Sequence, residues 1–479
     1  MIGRTQEKQL LLEALETPRA EFIAVYGRRR IGKTFLIKNV YDKHIAFEFT
    51  GTQHASLKNQ LFKFSEKIKT HFKGAQAEPS PSTWYEAFQL LKNCLSSHTD
   101  RQQVVFFDEL PWIATHKSGF LEELAYFWND WAAYQPRLVL IVCGSAAAWM
   151  LQKVVGNKGG LHNRLTRRIN LKPFTLAETH LFLKSAGVSW DHYQTLQFYM
   201  AVGGVPAYLQ EARNGETVSQ AIERLFFHPD GFLRSEFENL YAALFTSHQH
   251  HVAIIKALAG KWRGLSRQEI IAQSGLPDGG GMTQVLSELE AASFIMRFPL
   301  YKKRGNGFVY RLSDQYSLFY LRFVEGKPYQ GPHGWLLQSN SNAYTIWCGY
   351  AFETICLQHA EAIKLALGIS GIHTQISTFS HKGDTAGEGF QIDLLIDRAD
   401  RAINLCEIKF YTHDIRITDA YSDDLRQRRE KFRALTGTRK LLFNTLITTY
   451  PPSPAGSGQI DQVITMERLF AYNSFGAPV

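Results

Sequence analysis

Two sets of residues in this chain have the types and spacing to do chemistry. The first is Gly27-Arg28-Arg29-Arg30-Ile31-Gly32-Lys33-Thr34. In this G-x-x-x-x-G-K-T pattern the glycines let backbone N–H groups curl around phosphate oxygens. Lys33 would reach the β- and γ-phosphates and Thr34 would ligate Mg²⁺. Asp108 and Glu109 complete the set: Asp108 would hold the Mg²⁺ shell and Glu109 would polarise an attacking water. Ser145 could sense the γ-phosphate, although a plain Gly-Ser turn explains it nearly as well. The second set is Asp393, Glu407 and Lys409. Two carboxylates bind hard Mg²⁺ or Mn²⁺ through oxygen, the metal activates water, and a lysine orients that water or neutralises the oxyanion. That is the chemistry of metal-dependent phosphodiester cleavage. Alternating charges on an exposed sheet face would give the same D…E-x-K pattern with no chemistry at all.

Each set needs elements to hold it. The run FIAVY at 22–26 is apolar and β-prone, and FLIK at 35–38 reads as helix after the glycine loop. Strand, loop, helix is the context a phosphate-binding loop requires, and the helix N-terminus adds a favourable dipole. VVFF at 104–107 ends in Asp108-Glu109, as a central parallel strand does when it delivers acids at its C-terminal end. By itself the same pattern would suit a strand ending in a helix-capping acid. LVLIVC at 138–143 is the next buried strand, ending in Gly144-Ser145 at the same edge. Far along the chain, 391–397 alternates as a strand, Asp400-Arg401 supplies a turn, and 402–410 returns. Ile392, Leu394 and Ile396 then share one face with Cys406, Ile408 and Phe410. Asp393, Glu407 and Lys409 fall together on the other.

Between the two sets, 171–249 reads helical, with Leu181, Phe182, Leu196, Phe198 and Tyr199 at helix-like spacing. His248, His250 and His251 have no Cys or carboxylate partner in sequence and read as exposed polar residues rather than a metal site. Residues 250–330 have the pattern of a winged helix. Helices are expected at 251–259, at 266–274 behind a Ser266/Glu269 capping box, and at 282–292. A hairpin of 294–299 and 308–312 follows, with the basic tip 301–307 as the wing. That shape puts one helix in the major groove and a wing on phosphates, although many winged helices only contact proteins. The helix at 282–292 is poor in Lys and Arg, so contacts to the DNA backbone are expected rather than base readout.

Composition sets the frame. A chain of 479 residues suggests about three domains. With 45% hydrophobic and 20% charged residues it has material for several cores, which excludes a disordered or fibrous chain. The five cysteines form no C-x-x-C pair and their number is odd, which argues against a disulfide framework and fits a reducing cytoplasm. No apolar signal core opens the sequence, and the longest apolar run, around 138–151, is too short for a bilayer, so no membrane association is expected. The net charge of +9 is uneven: residues 1–170 carry 23 basic and 15 acidic side chains, whereas 171–250 carry 5 and 8. The acidic bias of the second segment argues against its touching nucleic acid.

Gly3-Arg4, YGRRRIGKT, FFDELPWI and VCGS resemble the AAA+-type ATPases of an archaeal and bacterial family that carries a C-terminal domain long labelled as of unknown function. The likeness continues through Leu161-His162-Asn163-Arg164, Leu171-Lys172-Pro173-Phe174 and Gly203-Gly204-Val205-Pro206-Ala207-Tyr208-Leu209. The resemblance implies that Gly3-Arg4 lies near the adenine, that Arg164 is the arginine finger in cis or in trans, and that Gly203–Tyr208 sits in a helical lid. His162-Asn163 stands where the family usually has Tyr-Gly, and Arg167 and Arg168 lie close to Arg164. A solvated basic loop is the competing account of that trio. Residues 340–445 resemble the restriction-endonuclease-like superfamily, which implies that Glu353, on a helix upstream of Asp393, joins the metal site. The basic stretch Arg426, Arg428, Arg429, Lys431 and Arg433 would follow on a helix able to hold a DNA backbone.

The expected architecture is α/β and multidomain. A P-loop parallel-sheet ATPase core occupies 1–170, a helical lid 171–249, a winged helix 250–330 and a restriction-endonuclease-like α/β domain 340–479. The expected cofactors are ATP and Mg²⁺, with Mn²⁺ possible at the second site. DNA is the expected partner, and a homo-oligomer through the ATPase domain would bring an arginine finger in trans. The alternative function is a nucleotide switch that regulates or scaffolds, binding DNA or protein through a catalytically inactive nuclease-like domain.

Overall fold

The computed structural model describes residues 2–471 apart from 73–78, 98–100, 116, 158, 246, 304–306, 328–330, 332–333, 384–388 and 454–457. The chain divides into two compact units, one over Gly3–Lys172 with 244–246, the other over Pro173–Ala243 and Ser247–Val479.

The first unit is built on five parallel strands: β1 (Glu21–Tyr26), β2 (Ile45–Thr50), β3 (Gln103–Asp108), β4 (Leu138–Gly144) and β5 (Arg167–Asn170), in the order β2-β3-β4-β1-β5. The central strands β1, β3 and β4 are buried along their whole length, which is why they read as continuous apolar runs rather than alternating ones. One face packs Ile23, Val25, Val104, Phe106, Val139 and Ile141 on the helices Thr5–Glu16 and Lys33–Tyr41 through Leu11, Leu36, Ile37 and Tyr41. Alternate strand residues meet aromatic side chains from the helices Trp84–Ser96 and Phe120–Asp130. Phe22 lies 4.9 Å from Trp128, and Phe107 lies 5.9 Å from Phe88 and 5.5 Å from Phe120. Inserting β4 between β1 and β3 brings the C-terminal ends of all three side by side, where a parallel sheet binds ligands.

The second unit opens with helices, among them Leu176–Ser185, His192–Val202 and Glu236–Leu244. The helices His248–Ala259, Arg267–Ser274 and Gly280–Ala291 follow, with the hairpin β6 (Ile295–Pro299) and β7 (Phe308–Leu312). The Ser266/Glu269 capping box closes the N-terminus of the helix Arg267–Ser274. His251 is buried, with Nε2 2.7 Å from Glu288. A five-stranded mixed sheet ends the unit: β8 (Thr374–His381), β9 (Phe390–Arg398), β10 (Ala402–Lys409), β11 (Leu441–Thr448) and β12 (Gln462–Thr465), in the order β12-β11-β10-β9-β8. β9 and β10 are antiparallel, joined at a turn where Arg401 takes φ 65°, and Cys406 pairs with Leu394. The helix Asn342–Gln358 precedes this sheet and the helix Asp419–Thr436 connects β10 to β11, with Phe432 of the latter entering the core beside Leu395, Ile403 and Leu405.

The base of the hairpin loop is not presented to solvent as a wing would be. Tyr301 N–H donates to the carbonyl of Thr378 on β8 at 2.9 Å. The Tyr301 ring packs 5.4 Å from Phe432, and Lys302 Nζ donates to the Thr436 carbonyl at 2.9 Å. The basic tip residue Arg304 lies outside the described residues. Among the described residues no helix is long and apolar enough to cross a membrane.

Candidate functional site

The first site forms at the C-terminal edge of the parallel sheet. After β1 the chain turns through Gly27 (φ 148°), Arg30 (φ 69°) and Gly32 (φ 84°) into the helix that starts at Lys33. A Cβ on Gly27 would lie 2.3 Å from the Leu171 carbonyl oxygen, so the loop is drawn tight against the end of β5. Lys33 is buried, and its ammonium donates to the carbonyls of Gly27 at 3.0 Å and Arg28 at 2.9 Å. Thr34 Oγ1 donates to Asp108 Oδ2 at 2.7 Å, which joins the start of the helix to the end of β3. Glu109 takes φ 48° and ψ 50°, a costly conformation for a side chain of its size. Its Oε2 accepts from the Ser145 backbone at 3.2 Å and from Ser145 Oγ at 2.8 Å. Lys33, Thr34, Asp108, Glu109 and Ser145 are thus gathered from three strand ends. Arg28 and Ile31 are buried, Arg29 is exposed, and the Ile31 carbonyl accepts from Arg4 Nη2 at 3.3 Å.

The second site lies on the mixed sheet. Asp393, Glu407, Lys409 and Glu353 line one cavity of about 530 Å³, together with Arg263, Tyr350, Arg428 and Lys431. The backbone N–H of Ile408 donates to Asp393 Oδ2 at 3.0 Å. Lys409 Nζ lies 2.8 Å from Glu407 Oε1, and Arg428 Nη1 lies 3.1 Å from Glu407 Oε2. Glu353, on the helix Asn342–Gln358, is held by Arg311 Nη1 at 2.6 Å. Burial pushes the Asp393 carboxyl up to about 8, and the nearby carboxylates of Glu407 and Glu353 push in the same direction. Burial works against the Lys409 ammonium, but Glu407 and Asp393 outweigh it and raise that group. Arg428 is raised in the same way by Glu407 and Asp424. Among the described residues no group of three or more His, Cys, Asp and Glu is arranged as a metal ligand set. The cations Lys409, Arg428 and Arg311 sit on the carboxylates instead.

Residues 2–212 match the family described as an ATPase domain predominantly from Archaea. The Walker-type ATPase of Pyrococcus abyssi has a similar fold, with a TM-score of 0.50 at 18% identity over 67% of this chain and 96% of its own. An uncharacterized protein of Methanocaldococcus jannaschii is 23% identical over 455 residues, or 91% of this chain and 95% of that one. The N-terminal part of the chain is a P-loop ATPase domain. The glycine loop Gly27–Thr34 and the resemblance read from GRRRIGKT and FFDEL fall inside the matched residues.

Other expected residues of the ATPase domain separate in space. Arg167 faces the carboxylates of Glu13 at 3.2 Å and buried Glu21 at 3.6 Å. Arg164 is exposed, and among the described residues it has no carboxylate partner. On the helix Asp419–Thr436 the expected basic stretch is partly turned inward. Arg426 binds Asp423, Arg428 binds Glu407 and Asp424, and Arg429 faces Asp461, so three of its cations are neutralised internally. Lys431 lines the cavity. Sequence reasoning missed Arg263 and Arg311, which reach the second site from the helix-and-hairpin segment. Nothing in their local sequence distinguishes them from surface arginines.

Proposed function

We propose that this chain is a Mg²⁺-dependent ATPase whose nucleotide state governs binding of nucleic acid, DNA above all, and metal-dependent phosphodiester cleavage by its C-terminal unit. The convergence of Asp393, Glu407 and Lys409 on one cavity carries the cleavage reading.

At the first site the Thr34 hydroxyl and the Asp108 carboxylate are hard oxygen donors 2.7 Å apart, a donor pair suited to Mg²⁺. When bound, the ion supplies charge neutralisation across the β- and γ-phosphates. Lys33 exchanges its two loop carbonyls for phosphate oxygens, and the loop N–H groups at the helix N-terminus bind the rest. Glu109, steadied by Ser145, orients the attacking water and takes its proton. Exposed Arg164 is free to reach a phosphate of its own nucleotide or, in a homo-oligomer, that of a neighbour.

At the second site Asp393 and Glu407 offer oxygen donors to Mg²⁺ or Mn²⁺. Burial first, and then the neighbouring carboxylates, raises the Asp393 carboxyl, and a divalent cation would offset both effects. When bound, the metal supplies an activated water and charge stabilisation at phosphorus. Lys409 holds that water or neutralises the developing oxyanion, and Lys431 and Arg263 face phosphates on the cavity rim. The helices and hairpin of 250–330 act as a winged helix on this reading, with a docked hairpin base. Free cysteines are at home in the cytoplasm, where we place the protein.

One observation favours a second reading. Glu407 is spanned by Lys409 and Arg428, as in a sheet face whose charges satisfy each other. The chain would then be a nucleotide switch with a binding-only C-terminal domain. Plasmid DNA incubated with the purified chain and Mg²⁺ or Mn²⁺, with and without ATP, separates the two. Cleavage that disappears in Asp393→Ala and Lys409→Ala supports the nuclease. Absence of cutting on every DNA and RNA form, beside normal ATP hydrolysis, supports the switch.

A further inference from the structure

Arg311 is 2% exposed, on β7 of the hairpin, yet its partner is a residue of the phosphodiester-cleaving site proposed above. Nη1 lies 2.6 Å from Glu353 Oε1, while Nε and Nη2 are buried with no hydrogen-bond partner. The guanidinium also lies over the Phe298 ring of β6, 5.8 Å from its centroid. A buried ion pair with orphaned donors is a poor way to stabilise a fold, because desolvation of both charges offsets much of their attraction. A hydrophobic residue would pack at this position with less strain on the hydrogen-bond balance. The pair therefore calls for an explanation other than stability.

Its position supplies one. Glu353 is close enough to Asp393 to raise that carboxyl, and both line the cavity. The bond to Arg311 engages only one oxygen of Glu353. It fixes the carboxylate's rotamer, while Oε2 is left for another ligand. The hairpin is itself fastened to the mixed-sheet module at both ends. Leu300 and Tyr301 join β8 at Thr378, and Lys302 joins the end of the helix Asp419–Thr436. Just beyond β7, the Ser313 carbonyl, two residues after Arg311, accepts from the Gln358 amide at 2.7 Å, five residues beyond Glu353 on its helix.

We propose that Arg311 is a positioning residue for the metal-binding carboxylates, acting through Glu353. The hairpin is then a structural part of the cleavage site. This rests on the phosphodiester-cleavage reading. It adds that the helix-and-hairpin segment sets the metal affinity of a site on the neighbouring sheet.

The test is a double-mutant cycle on the full chain with Arg311→Met, Glu353→Gln and the pair, with Arg311→Lys as the conservative variant. Mn²⁺ affinity is read by electron paramagnetic resonance, taking the part lost in Asp393→Asn as this site. Cleavage of a labelled DNA strand gives kcat and KM, and a thermal melt reports folding. Groups that orient metal ligands change metal affinity or activity by about 10–100-fold when removed. Arg311→Met should weaken Mn²⁺ binding and lower kcat by that order, with KM for DNA within about twofold. Arg311→Lys should recover part of both, and adding Arg311→Met to Glu353→Gln should change little. Unchanged Mn²⁺ affinity in Arg311→Met, or losses that multiply in the double variant, would overturn the role of Arg311 while leaving the cleavage reading intact. If Arg311→Met fails to fold, a parent-like Mn²⁺ affinity in Glu353→Gln overturns it too, because Arg311 is proposed to act through that carboxylate. A parent chain with no Asp393-dependent Mn²⁺ binding and no cleavage removes the site, and both readings fall together.

Discussion

The two glycines of the nucleotide loop make a sharp prediction, because the loop needs them for different reasons. A Cβ at Gly27 would lie 2.3 Å from the Leu171 carbonyl oxygen and 2.7 Å from Ile31 Cδ1, at φ 148°. Ordinary contact is 3.4–4 Å, so either β5 or the loop must shift by about 1 Å. Backbone strain contributes about 1–3 kcal/mol and overpacking a similar amount, so Gly27→Ala should destabilise the first unit by about 2–6 kcal/mol. A Cβ at Gly32, at φ 84°, would meet nothing within 4 Å. Gly32→Ala should therefore carry only the left-handed penalty of about 1–2 kcal/mol. For a unit of this size each kcal/mol lowers the melting midpoint by about 2–4 °C. The expected falls are about 4–24 °C for Gly27→Ala and about 2–8 °C for Gly32→Ala. Calorimetry of both variants measures this, with the transition of the ATPase domain identified by its upward shift on adding ADP. Equal falls, or a larger fall for Gly32→Ala, would refute the argument from the Leu171 contact.

Other outcomes follow from the same geometry. Lys33→Ala removes a charge-assisted bond to phosphate worth about 1.5–3 kcal/mol, so fluorescent-ATP titration should show a Kd raised about 10–150-fold. Glu109→Gln should slow hydrolysis by about 10²–10⁴-fold while ATP affinity stays within a few-fold, since it removes a proton acceptor and no phosphate contact. Because Asp393 titrates higher in the folded chain than in the unfolded one, its contribution is fully favourable below about pH 4 and is lost as pH rises toward 8. In the metal-free chain the melting midpoint of the C-terminal unit should fall between pH 5 and 8, and Asp393→Asn should flatten that slope.

What the sequence discloses follows the range over which each interaction is encoded. The nucleotide loop is legible because strand, glycines, lysine and helix are contiguous, and Asp108 because a buried parallel strand writes itself as an unbroken apolar run. Asp393, Glu407 and Lys409 are legible because period-two alternation and the turn at Asp400-Arg401 fix their shared face. The Arg311–Glu353 pair is not, since the partners stand 42 positions apart and meet only through packing between modules of the second unit. The ion pairs of the basic stretch 426–433 are not legible for a related reason. A helix's charge count does not say which cations fold back onto carboxylates such as Glu407 and Asp461. The hairpin read as a wing because its strands and basic loop have that pattern, while the seat of Tyr301 beside Phe432 is a tertiary fact.

The most direct test of the account is the position of a metal ion in the C-terminal cavity. Crystals of the full chain soaked in Mn²⁺ and measured at the manganese absorption edge would show it. An anomalous peak is expected between the Asp393 and Glu407 carboxylates, with Lys409 or Arg428 drawn off Glu407 and Arg311 still bound to Glu353. A cavity without a peak at saturating Mn²⁺, with both cations still seated on Glu407, would contradict it.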